Sequence, residues 1–205
     1  VSTPEITGRQ ASVKVQVELD NLSGKNRQVT LAIRLLSPAG KPVAKGNTGM
    51  QVKGISATST MMLNVSEPQL WSTETPNLYT AEVTVEEAGN VRDRISERFG
   101  IRTVEWKPEQ GMVLNGKRIK FHGVNVHHSF GALGAANYEA AIEKRFKVLK
   151  EMGVNGIRLA HNPYAKSFYE LADQHGMLLV DELFDKWEGQ GNNYRVDFFD
   201  TIIPW

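Results

Sequence analysis

The chain has 205 residues, with 24 Lys+Arg against 23 Asp+Glu and a formal net charge of +1 at pH 7. That balance offers no basic field for nucleic acid, and 40% hydrophobic with 8% aromatic residues suits a globular protein of one large or two small domains. Cysteine is absent, which excludes disulfides and thiolate metal sites, and the longest apolar runs are too short for a helix to cross a bilayer.

Residues 1–99 alternate with period two. In "SVKVQVEL", Val13, Val15, Val17 and Leu19 fall on one face while Lys14, Gln16 and Glu18 fall on the other, the pattern of a half-buried strand. "QVTLAIRLL" repeats it with Val29, Leu31, Ile33 and Leu35, and "SPAGKP" supplies a turn. "PVAKGNT", "TSTMMLNV", "LYTAEVTVEE" and "VRDRISERFG" are further strands, and a short N-terminal piece brings the total to about seven. Short strands with no helix between them predict an immunoglobulin-like β-sandwich. The Cys pair common in such domains is absent, so the likeness is one of architecture.

Near residue 100 the pattern changes, and "RFGIRTVEWKPEQG" is expected to be a hinge. In "GMVLNGKRIKF", Asn115-Gly116 lies between two apolar runs and predicts a type I′ hairpin. "FHGVNVHH" reads as a strand. "NYEAAIEKRFKVLKEMG" reads as a helix, with Asn137 as N-cap, Ile142, Phe146, Leu149 and Met152 at helical spacing, and Gly153 just past its end. "VNGIRLA" is a strand. "KSFYELADQHG" is a second helix that turns Phe168, Leu171, Ala172 and His175 to one side, and "MLLVDE" is a third strand. Strand, helix, strand, helix, strand is the signature of a parallel α/β fold. The tail after Glu182 has no clear period and reads as a long loop.

Alternation also assigns directions. Ile157 and Leu159 share the face that packs on helices, so Arg158 points to the inner face of the sheet. Val124 and Val126 take the helix face, while Phe121, Gly123, Asn125 and His127 take the inner one. Asn125, His127 and Arg158 therefore converge at the C-terminal ends of two neighbouring strands, with His161 just beyond and Asp181 ending the next strand. Ligands of parallel α/β folds bind at that edge. Other readings stand beside this one. Arg158 could be a structural ion-pair partner, and His161, before Asn-Pro, could cap a turn. His122 is expected to be a hydrogen-bonded core residue, and His175 a helix-end residue facing the dipole. His127 and His128 are adjacent and point oppositely, which argues against a shared metal. Asp181 and Glu182 likewise face opposite ways, so at most one enters the site, and they cannot form the facing carboxylate pair of a glycosidase.

Several segments, in order, resemble glycoside hydrolase family 2, the family of bacterial β-galactosidases, β-glucuronidases and β-mannosidases. "LWSTETPNLYTAEVTV" is similar to a segment late in that family's immunoglobulin-like domain, and "ERFGIRTVEW" to its bridge into the catalytic barrel. "VLNGKRIKFHGVNVHH" resembles the hairpin and first barrel strand. "MGVNGIRLAHNPYAKSFYELADQHGMLLVDE" resembles the stretch from the end of the first helix through the third strand. The resemblance implies an immunoglobulin-like sandwich over residues 1–99, followed over residues 100–205 by the first three strands of a (β/α)8 TIM barrel, a fold of about 250 residues when whole.

It also implies a retaining glycosidase acting on the O-glycosidic bonds of β-linked glycosides, β-galactosidase-like in the first instance. The family's acid/base Glu, after an Asn at strand four, and its nucleophile Glu at strand seven would both fall beyond Trp205. The catalytic pair is thus expected to be absent from these residues and the isolated chain inactive. By resemblance, Arg158 matches an arginine that holds the nucleophile, and His161 a histidine lining the sugar site. Asn125 and His127 match an N-x-H motif, with Val126 where Arg is frequent, and Asp181 matches the acid ending strand three. The chain departs from the family's frequent "SHYP" with "AHNP", followed by Tyr164. No cofactor, metal, nucleic acid or membrane partner is expected. Self-association through the unpaired barrel edge is expected. Localisation stays open, with a periplasmic or secreted bacterial setting as a family-level expectation. A non-catalytic carbohydrate- or protein-binding sandwich is the alternative, and exposed rows of Trp or Tyr would favour it.

Overall fold

The computed structural model describes residues 1–183. Contacts divide the chain into two compact units, Val1–Lys120 and Phe121–Trp205.

Seven strands open the first unit: β1 Ser2–Thr7, β2 Gln10–Asp20, β3 Arg27–Leu36, β4 Pro42–Val52, β5 Ser56–Ser66, β6 Tyr79–Glu87 and β7 Asn90–Phe99. They form two antiparallel sheets, ordered β1-β2-β5 and β4-β3-β6-β7. The period-two residues face inward from both sheets. Val13 and Val15 of β2 and Leu63 and Val65 of β5 share one core with Ile33 and Leu35 of β3 and Tyr79, Ala81 and Val83 of β6. Removing these apolar faces from water is the main force holding the sandwich closed.

Three more strands belong to this unit: β8 Val104–Lys107, β9 Gly111–Leu114 and β10 Lys117–Arg118, in an antiparallel meander ordered β10-β9-β8. The stretch expected to be a hinge therefore contains a strand. Asn115 (φ 52°) and Gly116 (φ 75°) both adopt the left-handed backbone of the expected hairpin turn. The Asn115 side chain accepts from Thr103 N–H at 3.0 Å and donates to the Trp71 carbonyl at 2.9 Å. Trp71, 1% exposed, in turn donates its backbone N–H to Ile101 O. These bonds tie the meander to the loop between β5 and β6, so the meander falls within the first compact unit.

The second unit alternates strand and helix: β11 Gly123–His127, α1 Glu139–Glu151, β12 Gly156–Ala160, α2 Lys166–His175 and β13 Leu178–Val180. The strands form a parallel sheet in the order β11-β12-β13. Val124 and Val126 of β11 and Ile157 and Leu159 of β12 pack with Ile142 and Phe146 of α1 and Phe168, Leu171 and Ala172 of α2. The helix ends differ in part from expectation. The residue preceding α1 is Tyr138, and Asn137 instead donates its amide to Ser167 Oγ at 2.6 Å. Met152 is 69% exposed, because it already lies past the last helical turn as the C-cap. Gly153 (φ 80°) follows it, and Gly176 (φ 66°) ends α2, both in the left-handed conformation. His122 is exposed rather than in the core. Its backbone N–H donates to Asn155 Oδ1 at 2.8 Å. The reading of the tail as a loop lies outside the described residues from 184 onward.

Candidate active site at the strand ends

The parallel ladder sets Asn125 opposite Arg158 and His127 opposite Ala160, and it ends on β13 with the Arg158–Val180 pair. On the inner face, the ring of Phe121 covers the glycines at the start of β11 and β12. A Cβ added to Gly156 would lie 2.2 Å from Phe121 Cζ, and one added to Gly123 would lie 2.5 Å from Cε1. The same face therefore runs from an apolar floor to polar strand ends.

At those ends the polar side chains meet. Arg158 Nη1 donates to Asn125 Oδ1 at 3.3 Å. Arg158 Nη2 forms an ion pair with Glu182 Oε1, and His161 Nδ1–H donates to Glu182 Oε2 at 2.9 Å. The His127 and His161 rings meet edge to face with centroids 5.4 Å apart. Glu182 is the most enclosed member of its triad, with 19% side-chain exposure against 40% for Arg158 and 44% for His161. Partial desolvation pushes its carboxyl up. The hydrogen bond from His161 and the charge and hydrogen bond of Arg158 outweigh that and hold it below the usual carboxylate range.

Four of the five residues singled out from the sequence, Asn125, His127, Arg158 and His161, are thus brought together. Asp181 lies on the opposite side of its strand end, where Tyr169 OH donates to its Oδ2 at 2.9 Å. The acid that meets Arg158 is Glu182. The resemblance matches Asp181 to the acid ending strand three, and "MLLVDE", apolar up to the acids, has no alternation to say which of the two acids faces Arg158. His128 points away from His127, as expected, and stacks on Tyr164 with centroids 4.5 Å apart.

Tyr164, noted in the sequence only as the residue after "AHNP", forms a layer with Tyr169, which the sequence did not single out. Tyr164 OH donates to Val126 O at 2.6 Å, and Tyr164 N–H donates to Tyr169 OH at 3.0 Å. Burial raises the pKa of both phenols, so both stay protonated donors near neutral pH. Beside them, the Arg145 guanidinium lies 3.7 Å over the Phe130 ring and donates to Ser129 O, and burial lowers its pKa. Among the described residues, no group of three or more His, Asp or Glu side chains is placed to hold a metal.

A fixed guanidinium flanked by an amide, a carboxylate and two imidazoles can bind hydroxyl-rich or anionic groups by hydrogen bonds and charge. The family description "Glycosyl hydrolases family 2" matches residues 1–102, and "Glycosyl hydrolases family 2, TIM barrel domain" matches residues 104–196. Beta-galactosidase BoGH2A of Bacteroides ovatus is 39% identical over 91% of this chain and 22% of its own length. A putative beta-glucuronidase of Formosa agariphila is 35% identical over 98% of this chain and 19% of its own. The crystal structure of a glycosyl hydrolase family 2 member from Bacteroides cellulosilyticus superimposes with a TM-score of 0.90 at 32% identity, covering 98% of this chain and 27% of that one. The chain thus spans about a fifth to a quarter of the proteins it resembles. The chain therefore carries a sandwich domain of this family over residues 1–102 and, from residue 104, the start of its TIM barrel domain. The chain belongs to glycosyl hydrolase family 2.

Proposed function

We propose that these residues form one side of the sugar site of a retaining glycosidase that hydrolyses β-linked O-glycosides, with β-galactosides as the first substrates to test. The convergence of Asn125, Arg158, His161 and Glu182 on one edge of a parallel sheet carries this reading. Arg158 serves to hold a carboxylate ionised and oriented, and His161 and His127 to bind sugar hydroxyls as charge develops in the transition state. Asp181 supports the strand end from behind.

Retention needs two carboxyl groups about 5–5.5 Å apart across the glycosidic bond. The acids at this edge cannot supply that pair, since Asp181 and Glu182 point to opposite sides of one backbone. The acid/base and nucleophile are assigned, by family resemblance, to strands outside these 205 residues, so the chain alone is expected to be inactive. The binding-module alternative draws little support. Among the described residues, Trp71 and Tyr79 of the first unit are buried and Trp106 is its one exposed Trp or Tyr, so the described sandwich presents no aromatic row for sugar stacking.

The test is an assay with aryl β-galactoside, β-glucuronide and β-mannoside on two samples, the purified 205-residue chain and a longer protein carrying it. The chain alone is expected to be silent. The longer protein is expected to release the sugar with its β configuration, read by NMR of the first product formed. Turnover by the chain alone, or an inverted product, would overturn the proposal.

A further inference from the structure

The two acids at the end of β13 are held in an unusual way. The ladder between β12 and β13 ends at the Arg158–Val180 pair, and β13 itself ends at Val180. The backbone that carries Asp181 and Glu182 therefore lies past the strand pairing. Among the described residues, side chains hold it, from opposite sides. Tyr169, on α2, donates its hydroxyl to Asp181 Oδ2, and Arg158 and His161 engage the two oxygens of Glu182.

The tyrosine is anchored in its turn. Its oxygen accepts Tyr164 N–H at 3.0 Å, and Tyr164 OH donates to the Val126 carbonyl at 2.6 Å. One hydroxyl thus joins the end of β13 to the turn after β12, and the next joins that turn to β11. Neighbouring residues of an extended chain project to opposite sides. Seating Asp181 on the helix side turns Glu182 toward Arg158. An ion pair as exposed as Arg158–Glu182 is too weak to order a free strand end by itself.

We propose that Tyr169 is a positioning residue: by seating Asp181 on the helix side of the strand end, it presents Glu182 to Arg158 and His161. Tyr169 touches neither of those two side chains. A phenol fits the task because one oxygen accepts from the Tyr164 amide while its proton goes to Asp181. On the reading proposed above, Tyr169 governs how a guanidinium at the sugar site is oriented. The placement itself is a property of the chain and does not depend on that reading.

The experiment follows the Glu182 carboxyl by carbon-detected NMR in the full 205-residue chain as pH is lowered. Two variants separate position from charge. Tyr169→Phe removes the donated proton, and the Glu182 titration is expected to move upward, because Glu182 drifts from Arg158 and His161. Asp181→Ala removes the same anchor together with a neighbouring negative charge. Loss of that charge alone would move Glu182 downward, so an upward movement reads position rather than electrostatics. Asp181→Asn removes the charge but keeps an oxygen for the Tyr169 proton, and no upward movement is expected. An unmoved Glu182 in folded Tyr169→Phe overturns the proposal. If that variant does not fold, a downward or absent shift in Asp181→Ala overturns it. The readout uses no substrate, so failure of the glycosidase reading and failure of this one are told apart.

Discussion

Asn125 and Arg158 face each other across a parallel ladder, and Arg158 Nη1 donates to the Asn125 amide oxygen at 3.3 Å. The bond fixes one edge of the guanidinium while Glu182 takes the other. Two anchors on a planar fork hold its plane as well as its position, which an ammonium would not achieve.

Arg158→Lys tests this directly. In a longer glycosidase carrying the chain, the substitution keeps the charge but loses the fork. It is expected to lower kcat/KM on an aryl β-glycoside on the order of 10²-fold, with most of the loss in kcat. Steady-state kinetics of the two proteins check it. An unchanged kcat would mean that the planar fork has no part in the transition state.

Glu182 makes stability depend on acid pH. Its carboxyl sits below the usual range when folded, so the folded state favours the ionised form. The stabilisation is therefore complete above the ordinary carboxylate pKa of the unfolded chain, and it is lost as pH falls through the lower folded value. Urea unfolding from neutral to acid pH is expected to show the wild type losing stability relative to Glu182→Gln as this window is crossed. Parallel pH curves for the two would contradict the assignment.

Tyr164 closes the back of the site. Tyr164→Phe leaves the Val126 carbonyl without the hydroxyl that serves it. The expected cost is about 1–3 kcal/mol, that of a polar group left unsatisfied. Hydrogen exchange around Val126 to His128 is expected to speed up more than exchange in the sandwich.

Gly100 is a steric requirement of the first unit. A Cβ there would lie 2.7 Å from Trp71 Cβ and 2.8 Å from its Cγ. Those atoms are the root of a side chain that is 1% exposed and cannot swing aside. Gly100→Ala is expected to destabilise the sandwich by about 1–3 kcal/mol, measured by thermal or urea unfolding. A substitution at Gly8, where an added Cβ meets nothing within 4 Å, serves as a contrast that feels only its φ of 52°.

Much of the fold was legible because its signals are local. The alternation of Val13, Val15 and Val17 reports one buried face, and Asn115-Gly116 reports a turn that few other pairs adopt easily. The tie between Asn115 and Trp71 spans 44 residues, and nothing in either neighbourhood announces it. That tie is why the compact unit through Lys120 takes in the meander. Asn137 shows the same limit. It has the chemistry of a helix cap, but Tyr138 takes the cap position of α1, and the Asn137 amide donates to a serine thirty residues away.

The site divides along the same line. By itself the sequence determined that Asn125, His127 and Arg158 share a face, because polar and apolar residues alternate along β11 and β12 and period two is a property of the backbone. It could not determine which acid joins them. Met177 to Val180 are all apolar, and such a run has no phase. Tertiary structure supplied the phase. Pairing Val180 with Arg158 puts the two on one side of the sheet, two further residues bring Glu182 to that same side, and Tyr169 takes Asp181 on the other.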